Sequence, residues 1–330
     1  MNHGGNIFAF ARERGWDWRD VADFSASINP LGPSPAIRHA LMAAMDRIVH
    51  YPESEPAALR ETLAALWRID ADRLIVGNGA TELIHFFART IGESMVSFAA
   101  PVFGEFHRAF PAAAIVPFDP AGWPTQGLIA VTRPANPTGA MPDGLEDYLA
   151  HTTNPVIVDE SFIEFTREPS LLTRERPNLF VLRSLTKFHA LPGLRIGALA
   201  GPPDTMRAWR ERREPWQVNV LAEAAVLAAI KHEEHARATV EFVESERRWL
   251  SAGLASIAGL HPQPSAANYI LVAADRPIAP ISACLAEQKI LIRDCSGWPG
   301  VPFAHAMRIA VRCREDNVCL ISALRGIQCD

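Results

Sequence analysis

Short apolar runs between about residues 70 and 200 constrain the fold of this chain more than any other feature. Each run is apolar at consecutive positions and rich in Val, Ile and Leu, and helical or turn-rich segments separate the runs. They occupy residues 74–76, 95–98, 114–116, 128–131, 155–158, 179–184 and 196–200. Consecutive apolar residues are typical of strands buried on both faces, as in a mainly parallel sheet that helices cover. With helical patterns at 81–91 and 143–151, they predict the α/β class.

The pattern changes on both sides of this block. Residues 1–35 are rich in Gly, Pro and Asn and predict an extended arm, and residues 36–68 predict helices that break near Tyr51-Pro52. Residues 215–255 contain a long helix candidate, and from residue 268 onward strand and helix patterns alternate. We therefore expect an arm at 1–35 that packs with the small domain and the functional site, a large domain at 36–220 and a small α+β domain at 221–330.

Composition limits the classes of partner. The formal net charge is −5 and the hydrophobic fraction is 48%, which excludes intrinsic disorder and indicates no basic face for nucleic acid or a membrane surface. The five cysteines include no C-x-x-C pair, which predicts reduced thiols and no metal site. Neither a signal peptide nor a membrane-spanning run is predicted. We therefore expect a cytoplasmic location.

A lysine follows the run at 179–184, in the segment Ser184-Leu185-Thr186-Lys187. At the end of a buried strand an amine loses water, which lowers its pKa and makes it a better nucleophile. Ser184 and Arg195 flank the lysine with a hydroxyl and a bidentate cation, the groups that bind a phosphate ester. A lysine that forms a Schiff base beside a phosphate site is what pyridoxal 5'-phosphate requires. Taken alone, Lys187 would be interpreted as a surface lysine.

Two further polar residues follow buried runs. Asp159 ends the run at 155–158, where ligands of open α/β sheets bind, and its carboxylate can pair with a pyridinium nitrogen. Asn136 lies in an N-P-T-G turn after the run at 128–131 and can donate to a phenolate oxygen. The alternatives are a helix N-cap for Asp159 and an ordinary turn for Asn136.

The segment G-N-G-A-T-E at residues 77–82 follows a predicted strand and opens a predicted helix. Its glycines let the backbone approach a phosphate, and the helix N-terminus offers free N–H groups. Glu82 stands where a dinucleotide-binding fingerprint has its third glycine, so an NAD site is disfavoured and a single phosphate fits better.

In this order, the four motifs resemble those of the fold type I, aspartate-aminotransferase-like pyridoxal-phosphate enzymes. The resemblance covers nearly the whole chain and implies a large domain with a mainly parallel seven-stranded sheet sandwiched by helices, plus a smaller α+β domain. It also implies that Lys187 is the Schiff-base lysine, that Asp159 pairs with the pyridine nitrogen and that Asn136 binds the 3'-oxygen. Around the cofactor phosphate it places Gly79, Ala80, Thr81, Ser184, Thr186 and Arg195.

The same resemblance assigns three more positions. Phe103 corresponds to the aromatic residue that stacks on the cofactor ring, and Arg308 to the arginine that grips the substrate carboxylate. Tyr51 resembles the tyrosine that reaches the cofactor phosphate from a neighbouring subunit, which implies a homodimer. Phe162 departs from the family pattern, because a tyrosine that bonds the 3'-oxygen commonly stands there.

The ends of the chain narrow the resemblance. H-G-G-N at residues 3–6, F-S-x-x-I-N-P-L-G at 24–32 and L-I-R-D-C at 291–295 are similar to segments of the threonine-phosphate decarboxylases of cobalamin biosynthesis. By this resemblance the substrate-binding residues are His3, Gly4, Gly5, Asn29 and Arg293, in addition to Arg308. The implied reaction is decarboxylation of L-threonine O-3-phosphate to (R)-1-amino-2-propanol O-2-phosphate. Histidinol-phosphate aminotransferase, or a related transaminase, is the alternative, since both classes use the same lysine, aspartate and arginine. A non-catalytic protein of the same fold is the third hypothesis.

Overall fold

The computed structural model describes residues 4–92 and 95–327. Its strands are β1 (Ala22–Asp23), β2 (Leu74–Gly77), β3 (Val96–Ala99), β4 (Ala114–Val116), β5 (Leu128–Thr132), β6 (Val156–Asp159), β7 (Leu179–Ser184), β8 (Gly197–Ala200), β9 (Leu260–Pro262), β10 (Tyr269–Ala274), β11 (Ile290–Leu291), β12 (Arg293–Asp294) and β13 (Ala306–Ala310). Its α-helices are α1 (Ile7–Arg14), α2 (Pro35–Ala44), α3 (Ala57–Trp67), α4 (Gly79–Ile91), α5 (Gly104–Ala109), α6 (Leu145–His151), α7 (Pro203–Arg210), α8 (Val220–Ala229), α9 (Glu233–Ala255), α10 (Ile278–Glu287) and α11 (Arg314–Ile327).

A seven-stranded sheet in the order β2-β8-β7-β6-β5-β3-β4 forms the centre of the molecule. β8 alone runs antiparallel to its neighbours in this sheet. All seven predicted runs form its strands, which confirms the predicted fold class. The strands are apolar at consecutive positions because both faces are covered. Val158 and Val181 pack into a cluster with α3 and α8, whereas Ile157 and Phe180 pack into a cluster with α4 and α5.

A second sheet in the order β12-β13-β10-β9 packs against α9, α10 and α11. The N-terminal segment joins this part of the molecule, because β1 pairs in parallel with β11 and Phe24 is fully buried in the same apolar cluster. The N-terminal segment thus shares a short sheet and an apolar cluster with this part of the molecule. The boundaries expected near residues 35 and 220 remain predictions.

Two predictions about secondary structure were wrong. The arm is not extended throughout, because residues 7–14 form α1, which ends at Gly15 with a left-handed φ of 68°. Residues 215–255 hold two helices rather than one long helix, α8 and α9, and the chain turns at His232 between them. The turn has a physical reason, because the two helices pack in different places. Helix α8 buries Val226 against the large sheet, and α9 buries Leu250 in the apolar cluster beside the four-stranded sheet. No helix in the described ranges is long and apolar enough to cross a membrane.

Candidate active site

The register of the large sheet brings the four sequence motifs to one edge. Asp159 at the end of β6 pairs with Thr132 at the end of β5 and with Leu182 of β7. In the neighbouring strands, Gly197 pairs with both Ser184 and Gly77. The loops that carry Asn136, Lys187 and Gly79 therefore all begin at this edge, as the rule for strand ends predicts.

Lys187 lies in the loop after β7, partly buried, with its Nζ donating to Thr186 Oγ1 at 3.0 Å. Burial, together with the positive charges of Arg195 and Arg308, lowers the pKa of this amine to about 8, while Asp159 acts in the opposite direction. A substantial fraction of the amine is therefore neutral near physiological pH, as a nucleophile must be.

Asp159 is 2% exposed and bound by Ser161. Its Oδ1 accepts from the Ser161 N–H at 2.9 Å and from the Ser161 hydroxyl at 2.5 Å. Burial raises the pKa of the carboxyl, although the Ser161 bonds and the charge of Lys187 favour its ionised form. Oδ2 accepts no hydrogen bond from the described residues, so this oxygen is available to a cationic N–H group of a ligand.

Asn136 and Arg308 are joined directly. Arg308 Nη1 donates to Asn136 Oδ1 at 2.7 Å, and Arg308 Nη2 donates to the Ser25 carbonyl at 2.5 Å. The bond fixes the orientation of the Asn136 amide, and its Nδ2 donates to no acceptor among residues 4–92 and 95–327. Arg308 Nε is buried without an acceptor in the same part of the chain. Both residues thus present unused N–H groups.

The start of α4 forms a cradle with Arg195. Gly79 has a φ of +85°, which favours glycine, and a Cβ at this position would lie 2.5 Å from Arg195 Nη2, so any other residue would force the guanidinium to move. Arg195 itself adopts a left-handed φ of 55°, which costs a non-glycine residue roughly 1–2 kcal/mol. Such strain clusters at functional sites.

No side chain caps α4, and the backbone N–H groups of Gly79, Ala80 and Thr81 find no acceptor in the described chain. The hydroxyls of Ser184 and Thr186 lie 2.8 Å apart and belong to the adjoining strand end and loop. A cationic guanidinium, free helix N–H groups and hydroxyls are the donors that a phosphate monoester requires. The cradle therefore fits the predicted cofactor phosphate.

Of the two predicted aromatic residues of the cofactor site, Phe103 lies at the edge of the sheet that carries the site and Tyr51 lies on the exposed surface. Phe103 is half-buried and immediately precedes α5, after the end of β3, on the edge where the site lies. The Tyr51 side chain is 80% exposed, and its ring stacks on Trp216 at 4.8 Å. Within one chain Tyr51 therefore does not enclose the site.

A second group of predicted residues lines an adjoining cavity of about 930 Å³. Arg293 of β12 is the cross-strand partner of Arg308 in β13, and no described carboxylate pairs with Arg293. Its guanidinium lies 5.4 Å from the centre of the Trp298 ring. Burial and the charge of Arg308 lower the pKa of Arg293, whereas the charge of Asp294 acts in the opposite direction. Gly4 and Gly5 also line the cavity.

The two remaining predicted substrate-binding residues, His3 and Asn29, are not among the described residues that line this cavity. His3 lies outside the described residues. Asn29 does not offer its amide to the cavity, because Nδ2 donates to the Phe188 carbonyl at 2.8 Å and to Thr239 Oγ1 at 3.0 Å. Its Oδ1 accepts from the Leu31 N–H at 2.9 Å. In this structure its amide is therefore used in anchoring its own loop, and its role as a phosphate donor stays a prediction.

Sequence reasoning missed the residues that hold the Asn136 turn. Arg133 donates through its backbone N–H to the Asp159 carbonyl at 2.8 Å and through Nη1 to buried Glu160 at 2.8 Å. The hydroxyl of Tyr269 donates to the Ala135 carbonyl at 2.9 Å, and Phe162 packs edge-on against its ring. A tyrosine at the start of the apolar run 269–274 was the available signal, since a buried hydroxyl needs a partner.

Comparison with known proteins gives the following similarities. Residues 19–321 match the sequence profile of the family described as aminotransferase class I and II. The chain is 32% identical to the threonine-phosphate decarboxylase of Salmonella typhimurium strain LT2, over 98% of this chain and 96% of that protein. It is also 32% identical to a histidinol-phosphate aminotransferase of Symbiobacterium thermophilum, over 93% of this chain and 90% of that protein.

Solved structures are similar over the same length. The crystal structure of L-threonine-O-3-phosphate decarboxylase from Porphyromonas gingivalis matches with a TM-score of 0.83 at 23% identity. The match covers 94% of this chain and 100% of that one. At this identity the similarity establishes the fold.

Proposed function

Because the chain belongs to the family of class I and II aminotransferases, we propose that it decarboxylates L-threonine O-3-phosphate with the help of pyridoxal 5'-phosphate. The product is (R)-1-amino-2-propanol O-2-phosphate, which serves cobalamin biosynthesis as the nucleotide-loop linker. The proposal is supported by the relative from Salmonella typhimurium and by the cross-strand pair Arg293 and Arg308, neither of which forms an ion pair with a carboxylate among the described residues.

Pyridoxal 5'-phosphate, predicted from the motifs, is the cofactor of this family. We assign Lys187 as the residue that binds it covalently, Asp159 Oδ2 as the partner of its ring nitrogen and Asn136 Nδ2 as the donor to its 3'-oxygen. Phe103 is the residue that packs against the ring. Its phosphate is held by the α4 cradle, whose members are Gly79, Ala80, Thr81, Ser184, Thr186 and Arg195.

Substrate recognition rests on one observation above all, the cross-strand pair Arg293 and Arg308. Like charges directly opposite on a sheet repel, so the pair needs anions to compensate it. L-threonine O-3-phosphate carries a carboxylate and a phosphate on one small molecule. Arg308, with its buried and unpartnered Nε, takes the carboxylate, and Arg293 takes the phosphate.

The chain then has two tasks in the reaction. When bound, the cofactor would supply an electron sink for a bond that breaks at the substrate Cα. Arg308 and Arg293 hold the two ends of the substrate and so select the carboxylate bond, which breaks to release carbon dioxide while its electron pair stays at Cα. Lys187 Nζ, released when the substrate amine takes its place on the cofactor, would deliver a proton to Cα.

Transamination of histidinol phosphate is the competing function, supported by the relative from Symbiobacterium thermophilum. Histidinol phosphate carries a phosphate but no carboxylate, so it would leave Arg308 without an anion in that half of the reaction. A substrate that provides an anion for each arginine therefore fits this pair better.

The test compares both reactions in the holoenzyme. With L-threonine O-3-phosphate and no keto acid, we expect release of carbon dioxide and of a phosphorylated amino alcohol, identified by mass. A Lys187→Ala variant is the control for catalysis by the site. Turnover only with L-histidinol phosphate and 2-oxoglutarate, with no release of carbon dioxide, would establish the transaminase instead.

We further propose that the protein is a homodimer whose active sites are completed by Tyr51 of the second copy. Around Tyr51 the chain exposes an apolar surface that a second copy could cover, formed by Met42, Met45, Ile48, Val49, Tyr51 and Trp216. A cytoplasmic location is supported by the unpaired thiols of Cys284, Cys295, Cys313 and Cys319.

A further inference from the structure

Ser25 lies where the N-terminal arm meets the arginine that is proposed to bind the substrate carboxylate. Its hydroxyl accepts a hydrogen bond from the Gly5 N–H at 2.8 Å. Its carbonyl accepts from Arg308 Nη2 at 2.5 Å. One residue thus contacts the arm through its side chain and the arginine through its backbone.

Ser25 is itself held firmly in place. Its N–H and its hydroxyl both donate to Asp23 Oδ1, at 2.8 and 2.6 Å, and the residue is 2% exposed. The preceding residue, Phe24, donates to the Leu291 carbonyl at 2.7 Å and accepts from the Ala310 N–H at 3.0 Å. Ser25 therefore keeps its position relative to β11, which lines the cavity, and to β13, which carries Arg308.

The arm packs against Ser25 without room for a side chain. A Cβ at Gly4 would lie 2.3 Å from the Ser25 carbonyl oxygen, the same atom that accepts from Arg308. Gly5 has a φ of +79°, which only glycine adopts readily. The two glycines line the cavity beside Arg293, so this contact closes one side of it.

We propose that Ser25 is a positioning residue that holds the N-terminal arm closed over the substrate cavity and couples that closure to Arg308. A continuous series of hydrogen bonds runs from Gly5 through Ser25 and Arg308 to Asn136, at 2.8, 2.5 and 2.7 Å. The coupling to substrate rests on the proposed function, whereas the docking of the arm on Ser25 does not.

Because Ser25 contacts the arm through its side chain and Arg308 through its backbone, removing the side chain should affect only the arm. A Ser25→Ala variant loses the acceptor for Gly5 but keeps the backbone carbonyl for Arg308. The arm should open while Arg308 and Asn136 remain in place. Substrate binding should weaken, whereas the bound cofactor and the turnover number should change little.

Hydrogen–deuterium exchange of the holoenzyme tests the docking without any substrate. In Ser25→Ala the amides of residues 4–10 should exchange about tenfold faster than in the wild type, as expected for the loss of one hydrogen bond. Gly4→Ala perturbs the same contact from the arm and should give the same result. Ser27→Ala is the matched control, because Ser27 is also buried and its hydroxyl has no partner in the described chain. Unchanged exchange in Ser25→Ala, or equal acceleration in Ser27→Ala, would overturn the proposal.

Steady-state kinetics with L-threonine O-3-phosphate test the coupling. Ser25→Ala should raise KM about 5- to 10-fold with little change in kcat, and Ser27→Ala should change neither. A fall in kcat at unchanged KM would contradict a positioning role. If the wild type does not decarboxylate this substrate, the proposed function fails, while the exchange experiment still decides whether Ser25 holds the arm.

Discussion

Arg308 donates a hydrogen bond to Asn136 Oδ1 across 2.7 Å, which joins the proposed carboxylate-binding residue to a proposed cofactor-binding residue. The two side chains come from β13 and from the turn after β5, 172 positions apart in the chain. Because Oδ1 is occupied by the arginine, the Asn136 amide must direct its N–H groups elsewhere. The proposed binding of the substrate and the proposed orientation of the cofactor therefore depend on one guanidinium.

The shared guanidinium predicts a double defect in Arg308→Gln. Loss of charged hydrogen bonds to substrate should lower kcat/KM about 100- to 1000-fold. Asn136 loses its orientation as well, so the dissociation constant of pyridoxal 5'-phosphate should rise. Absorbance titration of the cofactor and initial rates measure the two effects. Arg248→Gln, on the exposed side of α9, is the control. An unchanged cofactor affinity would contradict the coupling.

Arg293→Gln should produce a defect restricted to the substrate. The guanidinium has no acidic partner in the described chain, so its removal leaves no buried charge unpaired and should not destabilise the fold. Binding of L-threonine O-3-phosphate should weaken about 100-fold, since a charge-assisted contact is lost. Inorganic phosphate should inhibit the variant less than the wild type. A normal affinity for the phosphorylated substrate would remove Arg293 from the site.

Lys187 predicts a pH dependence of stability in the cofactor-free protein. Its pKa falls from 10.5 in the unfolded chain to about 8 in the folded one, so between these values the unfolded state binds more protons. The free energy of unfolding should therefore rise with pH from about 8 to 10.5. In Lys187→Met this rise should be absent, and the variant should be the more stable protein below pH 8. Urea denaturation across this range measures both, and parallel curves for the two proteins would contradict the shift.

Gly79→Ala should impair cofactor binding more than an equally strained substitution elsewhere. Both Gly79 and Gly92 have positive φ and flank the same helix, but only at Gly79 would a Cβ meet Arg195. Each substitution to Ala should cost about 1–3 kcal/mol of stability through backbone strain. Only Gly79→Ala should also weaken cofactor binding, by about tenfold or more. Thermal unfolding and cofactor titration separate the two effects, and equal cofactor affinities would contradict the cradle.

Tyr51 allows a complementation test of the homodimer. Tyr51→Ala and Lys187→Ala each impair every site in their own dimers. If Tyr51 serves the neighbouring copy, random mixing of the two variants should restore about a quarter of the sites, one intact site in each mixed dimer. If Tyr51 serves its own chain, mixing restores none. Activity after subunit exchange, with sedimentation to establish the dimer, distinguishes the two results.

The sequence predicted the sheet well because burial on both faces leaves a local signature. Runs such as 156–158 and 179–182 are apolar at every position, and the motifs that follow them share an edge by topology. The same locality explains the correct expectation that Lys187 has a low pKa. The strands and the burial of Lys187 depend on residues adjacent in the sequence, and the shared edge depends only on the parallel order of the strands.

Other parts of the site depend on contacts that no local pattern encodes. Asn29 occupies a motif that resembles a substrate-binding segment, yet its partners Phe188 and Thr239 lie far away in the chain and use its amide fully. Ser25 is likewise defined by Gly5 and Arg308, which no spacing rule connects to it. Helix α1 was missed because its glycine-rich flanks dominate the composition of the arm.

The reversed direction of β8 has a consequence for how the site is assembled. Its first residue, rather than its last, lies at the ligand-binding edge, so the chain returns there directly after Lys187 and reaches Arg195 within eight residues. A parallel strand would instead have begun at the opposite edge of the sheet, so the chain would have had to leave the ligand-binding edge before β8. The proposed nucleophile and the proposed phosphate anchor are thereby members of one loop, residues 185–196, which begins and ends at this edge. An insertion in this loop would displace both groups together, so its length is expected to tolerate less variation than that of any other connection around the site.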